Sequence, residues 1–156
     1  MGMYTELNIG VNLIPETPKN IIEILEYMLG DNENDNIETT NHPLFLTDRW
    51  RYMLRCDSYY FDSRTDSSMS KDDITKRYEL NVRCNLKNYD NEIDFFLNFI
   101  QPYLDTFGFL GYTRYEEYDE PTLIYNTEKG IELIGIDEMS TLETLNEEWL
   151  NRQIGK

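Results

Sequence analysis

The stretch RYELNVRCNLK, residues 77–87, alternates polar and apolar side chains, and DNEIDFFLNFI, which follows at once, spaces its apolar residues as a helix does. A period of two marks a strand buried on one face only, and the shift to 3.6 marks entry into a helix. The pattern places Tyr78, Leu80, Val82, Cys84 and Leu86 toward the core and Arg77, Glu79, Asn81, Arg83 and Lys87 away from it. Ile93, Phe96, Leu97 and Ile100 form the inward stripe of the helix, with Asp90 placed as its cap and Pro102 disturbing its last turn. A strand of this kind belongs to an antiparallel sheet with helices on one side and a polar face on the other.

The same unit occurs once before. ELNIGVNLI puts Leu7, Ile9, Val11 and Leu13 on one face, and TPKNIIEILEYMLG carries the punctuation of a helix. Thr17 is placed as its cap, Pro18 at the first helical position and Gly30 just past the last turn. Beyond a polar connection over 31–48, RWRYMLRCDSYYF predicts a strand with Tyr52, Leu54, Cys56 and Tyr60 on one side. Met53, Arg55, Asp57 and Tyr59 take the other side, and the acidic, Ser-rich run 62–73 predicts a loop. Downstream, GFLGYTRYEEY and PTLIYNTEKGIELIGI supply strands, with NTEKG as a hairpin turn that gives Gly130 a positive φ. STLETLNEEWL opens with Ser140 and Glu143 at capping-box spacing and predicts a short acidic C-terminal helix. The succession is β-α-β-β-α-β, which predicts an α+β, ferredoxin-like antiparallel sheet with a C-terminal β-hairpin extension. One domain over 1–156 is expected: a core over 3–125, then the hairpin strand and acidic helix over 126–156.

Charge narrows the partners. Fourteen Lys and Arg stand against 30 Asp and Glu, a net charge of −16, so nucleic-acid phosphates are repelled and a basic protein surface is attracted. No apolar run reaches membrane-spanning length and no signal peptide precedes the first strand, which predicts a cytoplasmic protein with both cysteines reduced. No role for a membrane, a metal or another cofactor is expected.

Catalysis finds little support. The single histidine, His42, lies in a polar loop before Pro43, with no partner to orient it as a base. Cys56 and Cys84 share the inward side of neighbouring predicted strands and read as buried, inert thiols. DNENDNIETTNH offers acids at the first, third and fifth positions of a calcium loop, but Asn36 stands where glycine is needed and His42 where a bidentate Glu belongs. Phosphate-binding and nucleophile-elbow motifs are absent from the sequence.

MYTEL at 3–7, TPK at 17–19, SYYF at 58–61 and NLKNYDNEI at 85–93 together resemble a family of small, functionally uncharacterised proteins of bacterial phages and mobile elements. The resemblance covers residues 3–125 and implies a setting, the cytosol of an infected or lysogenic host; it implies no activity and no site residue.

Two surfaces remain as candidates. The first is an acid block: residues 116–148 hold eleven acids against Lys129 alone. Glu116, Glu117, Asp119, Glu120, Asp137, Glu138, Glu147 and Glu148 are the residues expected to act as phosphate surrogates against a basic host protein, such as a defence nuclease. The second is the open sheet face, where Arg55, Tyr59, Arg83 and Lys87 would bind a small ligand such as a nucleotide signal. On that face Glu6, Glu79 and Glu116 also offer cross-strand ion pairs, and self-association through the sheet or a strand edge stays open as a third use.

Overall fold

The computed structural model describes residues 3–136. Its elements are β1 (Tyr4–Leu13), α1 (Lys19–Leu29), β2 (Ser68–Lys71), β3 (Tyr78–Lys87), α2 (Glu92–Ile100), β4 (Gly108–Tyr115), β5 (Thr122–Thr127) and β6 (Gly130–Gly135). The fold is α+β, with the six strands in one antiparallel sheet in the order β2-β3-β1-β4-β5-β6. The expected C-terminal helix lies outside the described residues.

The two alternating strands pair as their patterns require. Leu7, Ile9 and Val11 face Cys84, Val82 and Leu80 across the β1–β3 ladder, so the apolar sets coincide on one side. That side is buried together with Ile21, Ile24, Leu25 and Met28 of α1 and Ile93, Phe96, Leu97 and Ile100 of α2. Leu80, Val82, Cys84 and Leu86 are buried while Asn81 and Arg83 are exposed, as the period of two anticipates. α1 ends in a paired-bond cap: Gly30 N–H donates to Tyr27 and Asp31 N–H to Glu26. The hairpin turn forms as expected, with Gly130 at φ 103°.

Both expected N-terminal caps are corrected. The Thr17 hydroxyl donates back to the Ile14 carbonyl instead of capping α1. The Asp90 carboxylate accepts from Asp48 N–H, and the Asn88 side chain takes the Ile93 N–H at the start of α2.

The larger correction concerns residues 49–61, which form no strand. Met53–Arg55 make a single 3₁₀ turn in which Met53 and Leu54 are both fully buried, which alternation forbids. This segment and Pro43–Leu46 fill the gap between the helices, where Phe45 meets Trp50 at 4.9 Å and Phe99 at 5.2 Å, both edge-on. The strand comes instead from the expected loop: Ser68–Lys71 pairs with Asn81–Tyr78 at the sheet edge. SMSK has no apolar alternation, and beyond its main-chain pairing with β3 only Met69 packs toward the core.

β4 must pass close to β1. Gly111, at φ 151°, sits at a register shift in β4, and a Cβ there would lie 2.8 Å from Ile9 Cα and closer still to the Asn8 carbonyl. Glycine alone fits a contact this tight.

Candidate functional site

The face of β1, β3 and β4 turned away from the helices carries Glu6, Asn8, Gly10, Asn81, Arg83, Asn85, Tyr112 and Arg114. It is not fully open. The segment after Cys56 crosses its end, tied by Asn85 N–H to the Cys56 carbonyl, Asn85 Nδ2 to Asp57 and Asp66 N–H to the Arg83 carbonyl. Phe61 is buried there, with the Arg114 guanidinium 5.1 Å from its ring centre. Glu6, opposite Arg114 in the β1–β4 register, is only 3% exposed and pairs with Arg114 Nη2 at 3.6 Å. Cross-strand ion pairing is therefore what this part of the face contains.

The four residues expected to form a ligand site do not converge. Arg55 is corrected away from the sheet face: because 49–61 is not a strand, its side chain packs against Gly30 at the end of α1 and donates to the Arg51 carbonyl. Arg83 borders a shallow polar depression of about 340 Å³ with Asn8, Gly10, Asp66, Ser68 and Asn81. Lys87 and Tyr59 lie at the other end of β3, in an aromatic stack. Lys87 Nζ is 5.8 Å from the Tyr4 ring centre, Tyr4 is 5.5 Å from Tyr60, and Tyr60 stacks on Tyr59 at 4.6 Å and 26°. The Tyr60 phenol is pushed up to about 12 by its hydrogen bond to Tyr59, by Tyr59's charge, by partial desolvation and by Glu116 and Tyr4 nearby.

Half of the acid block is described. Glu116 N–H donates to the Tyr4 carbonyl, continuing the sheet by one bond into the β4–β5 connection. Glu117, Asp119 and Glu120 follow, all exposed, while Glu116 is half-buried with one carboxylate oxygen enclosed and unpartnered among the described residues. Glu117, Asp119 and Glu120 line a cleft of about 480 Å³ with Tyr118, Pro121, Thr122, Gly135 and Ile136. No basic side chain lines it among the described residues. Asp119 also lines a second hollow of about 290 Å³ with Glu6, Asp62 and Arg114, which joins the acid turn to the covered end of the sheet. Asp137, Glu138, Glu147 and Glu148 lie outside the described residues.

The remaining reactive side chains serve the fold. His42 Nδ1 accepts the Leu44 N–H at 3.1 Å, and its ring meets Phe99 edge-on at 5.5 Å; partial burial holds its pKa below the usual value. Cys84 is buried and Cys56 half-buried, and desolvation raises both thiols, which keeps them protonated. Among the described residues no group of three or more His, Cys, Asp and Glu side chains is placed to hold a metal ion. No helix there is long and apolar enough to cross a membrane.

Sequence reasoning missed Tyr4, Tyr60 and Phe61 as parts of this surface. SYYF was visible as an aromatic cluster, but its assignment to a strand gave it no reason to fold back over β1. No protein-family model, curated protein or solved structure matches the chain.

Proposed function

We propose that the protein is a non-enzymatic, acidic, phage-type inhibitor that acts in the host cytosol by docking on a basic, nucleic-acid-handling surface of a host protein. A defence nuclease is the partner class that the charge and the sequence resemblance favour. The observation carrying this reading is the turn Glu117–Glu120, whose three exposed carboxylates surround a cleft that no cation lines among the described residues. Carboxylates in that density present the charge that a phosphate-binding surface is built to receive. The scaffold we read as a ferredoxin-like β-α-β-β-α-β unit carrying a hairpin. The order β2-β3-β1-β4 and the burial of both helices against one face support it.

The test is capture of the partner from host lysate, then titration of the pair at low and high salt. Exposed charges are screened beyond about 8 Å at physiological ionic strength, so binding should fall steeply with salt, and nucleic acid should compete. Reversing Glu117, Asp119 and Glu120 to lysine should slow association more than it lowers stability. Binding that survives both high salt and the triple reversal would refute phosphate mimicry.

A further inference from the structure

We infer that the tyrosine stack beside the acid turn is a seat for an arginine side chain of the basic partner, and that the surface selects arginine over lysine. This rests on the proposed function and names the chemistry at its contact point.

Three observations combine. Tyr59 is 88% exposed although its inner face stacks on Tyr60, so a flat aromatic surface is turned toward solvent. Rings presented in this way lose little freedom on binding and are the usual anchors of protein contacts. The stack also shows its own preference for cations: Lys87 sits over the Tyr4 ring at its inner end, while the Tyr59 end is open among the described residues. Elsewhere the chain lays guanidinium groups over rings repeatedly, Arg51 on Trp50 at 4.7 Å, Arg114 on Phe61 and Arg49 on Tyr89. Finally, charge is complementary. Glu116 lies within electrostatic reach of Tyr60, and its main chain is bonded to that of Tyr4, so the acid turn begins where the stack ends.

A planar guanidinium can lie flat on Tyr59 while its edge donates to a carboxylate, whereas an ammonium is compact, strongly hydrated and gains less from a ring face. The neighbouring Lys87 does not cancel this, because it is already committed to Tyr4.

The experiment titrates the full chain with nona-arginine and nona-lysine peptides of equal charge. Wild type should bind the arginine peptide several-fold more tightly. Tyr59→Leu should weaken the arginine peptide by roughly two- to fivefold, the worth of one exposed cation–π contact, and leave the lysine peptide unchanged. Tyr59→Phe, which keeps the ring, should retain the preference, and thermal melts of both variants should match wild type because the side chain is exposed. Equal loss of both peptides, or none, overturns the arginine seat. If reversing Glu117, Asp119 and Glu120 still abolishes binding in that case, the proposed function stands without it. Failure of wild type to bind either peptide overturns both.

Discussion

The strands β1, β3 and β4 are closed on one side by two helices and on the other, at one end, by a loop, and the two closures differ in kind. Under the helices the sheet meets a broad apolar layer in which Leu7, Leu80 and Phe96 are fully buried, and the buried Glu92 at the start of α2 is paired with Arg49 at 3.4 Å. Under the loop one ring, Phe61, covers a carboxylate and a guanidinium that face each other across the β1–β4 ladder. Apolar burial is non-directional and stabilises in proportion to area, so it tolerates repacking. A buried ion pair stabilises only while both partners remain. The helix side therefore holds the fold, and the loop side depends on pairing.

The largest effect comes from placing one methyl group at each of two sheet glycines, one crowded by a neighbouring strand and one on the polar face. Gly111→Ala, where β4 crowds β1, drives its Cβ into the β1 main chain at a positive φ and should cost about 3 kcal/mol or more. Gly10→Ala, on the polar face, meets only the movable Asn81 side chain at 3.2 Å and should stay within about 1 kcal/mol of wild type. Urea melts of the two variants decide the matter. Equal costs would mean that Gly111 is held no closer to its neighbouring strand than Gly10 is to Asn81.

Pairing is tested next. Arg114→Met leaves Glu6, 3% exposed, without its cation and should cost about 3 kcal/mol. Glu6→Gln leaves the 37% exposed Arg114 side chain, which water can still reach, and should cost about 1 kcal/mol. If Glu6→Gln were the costlier of the two, the loop side would owe its stability to something other than an enclosed carboxylate.

The smallest effect lies at His42, on the helix side. Its folded pKa is lowered by burial from 6.5, so folded and unfolded chains bind protons equally above that value. As pH falls below it, the unfolded chain takes up a proton that the folded chain resists, and stability declines toward the lowered folded value. His42→Asn keeps a side-chain acceptor for the Leu44 N–H and removes the titration. Its melting temperature should lose less than wild type's between about pH 7 and 5.5. Parallel curves for the two proteins would show that His42 contributes no such dependence.

The helix-covered face was legible because its residues speak through local periodicity: β1, β3, α1 and α2 all carry it. Residues 49–61 misled because Tyr52, Leu54, Cys56 and Tyr60 fall on alternate positions by accident, while burial of Met53 beside Leu54 comes from the space left between two helices. β2 was invisible because an edge strand held by main-chain bonds needs no side-chain signal. The acid turn could be read directly, its residues being consecutive. The tyrosine stack could not, since it joins Tyr4 to Tyr59 and Tyr60 through a loop path that tertiary structure alone fixes.

β1 precedes both of its sheet partners in the chain, yet it lies between them, pairing on one side with Tyr78–Lys87 and on the other with Gly111–Tyr115. Its two hydrogen-bonding edges stay vacant until those distant segments have been translated. β2 with β3, and β4 with β5 and β6, form from near neighbours, so the slow event is insertion of the oldest strand between two younger units. The nascent chain thus carries an apolar, unpaired strand until both partners have been translated, an interval in which chaperones and aggregation compete for it.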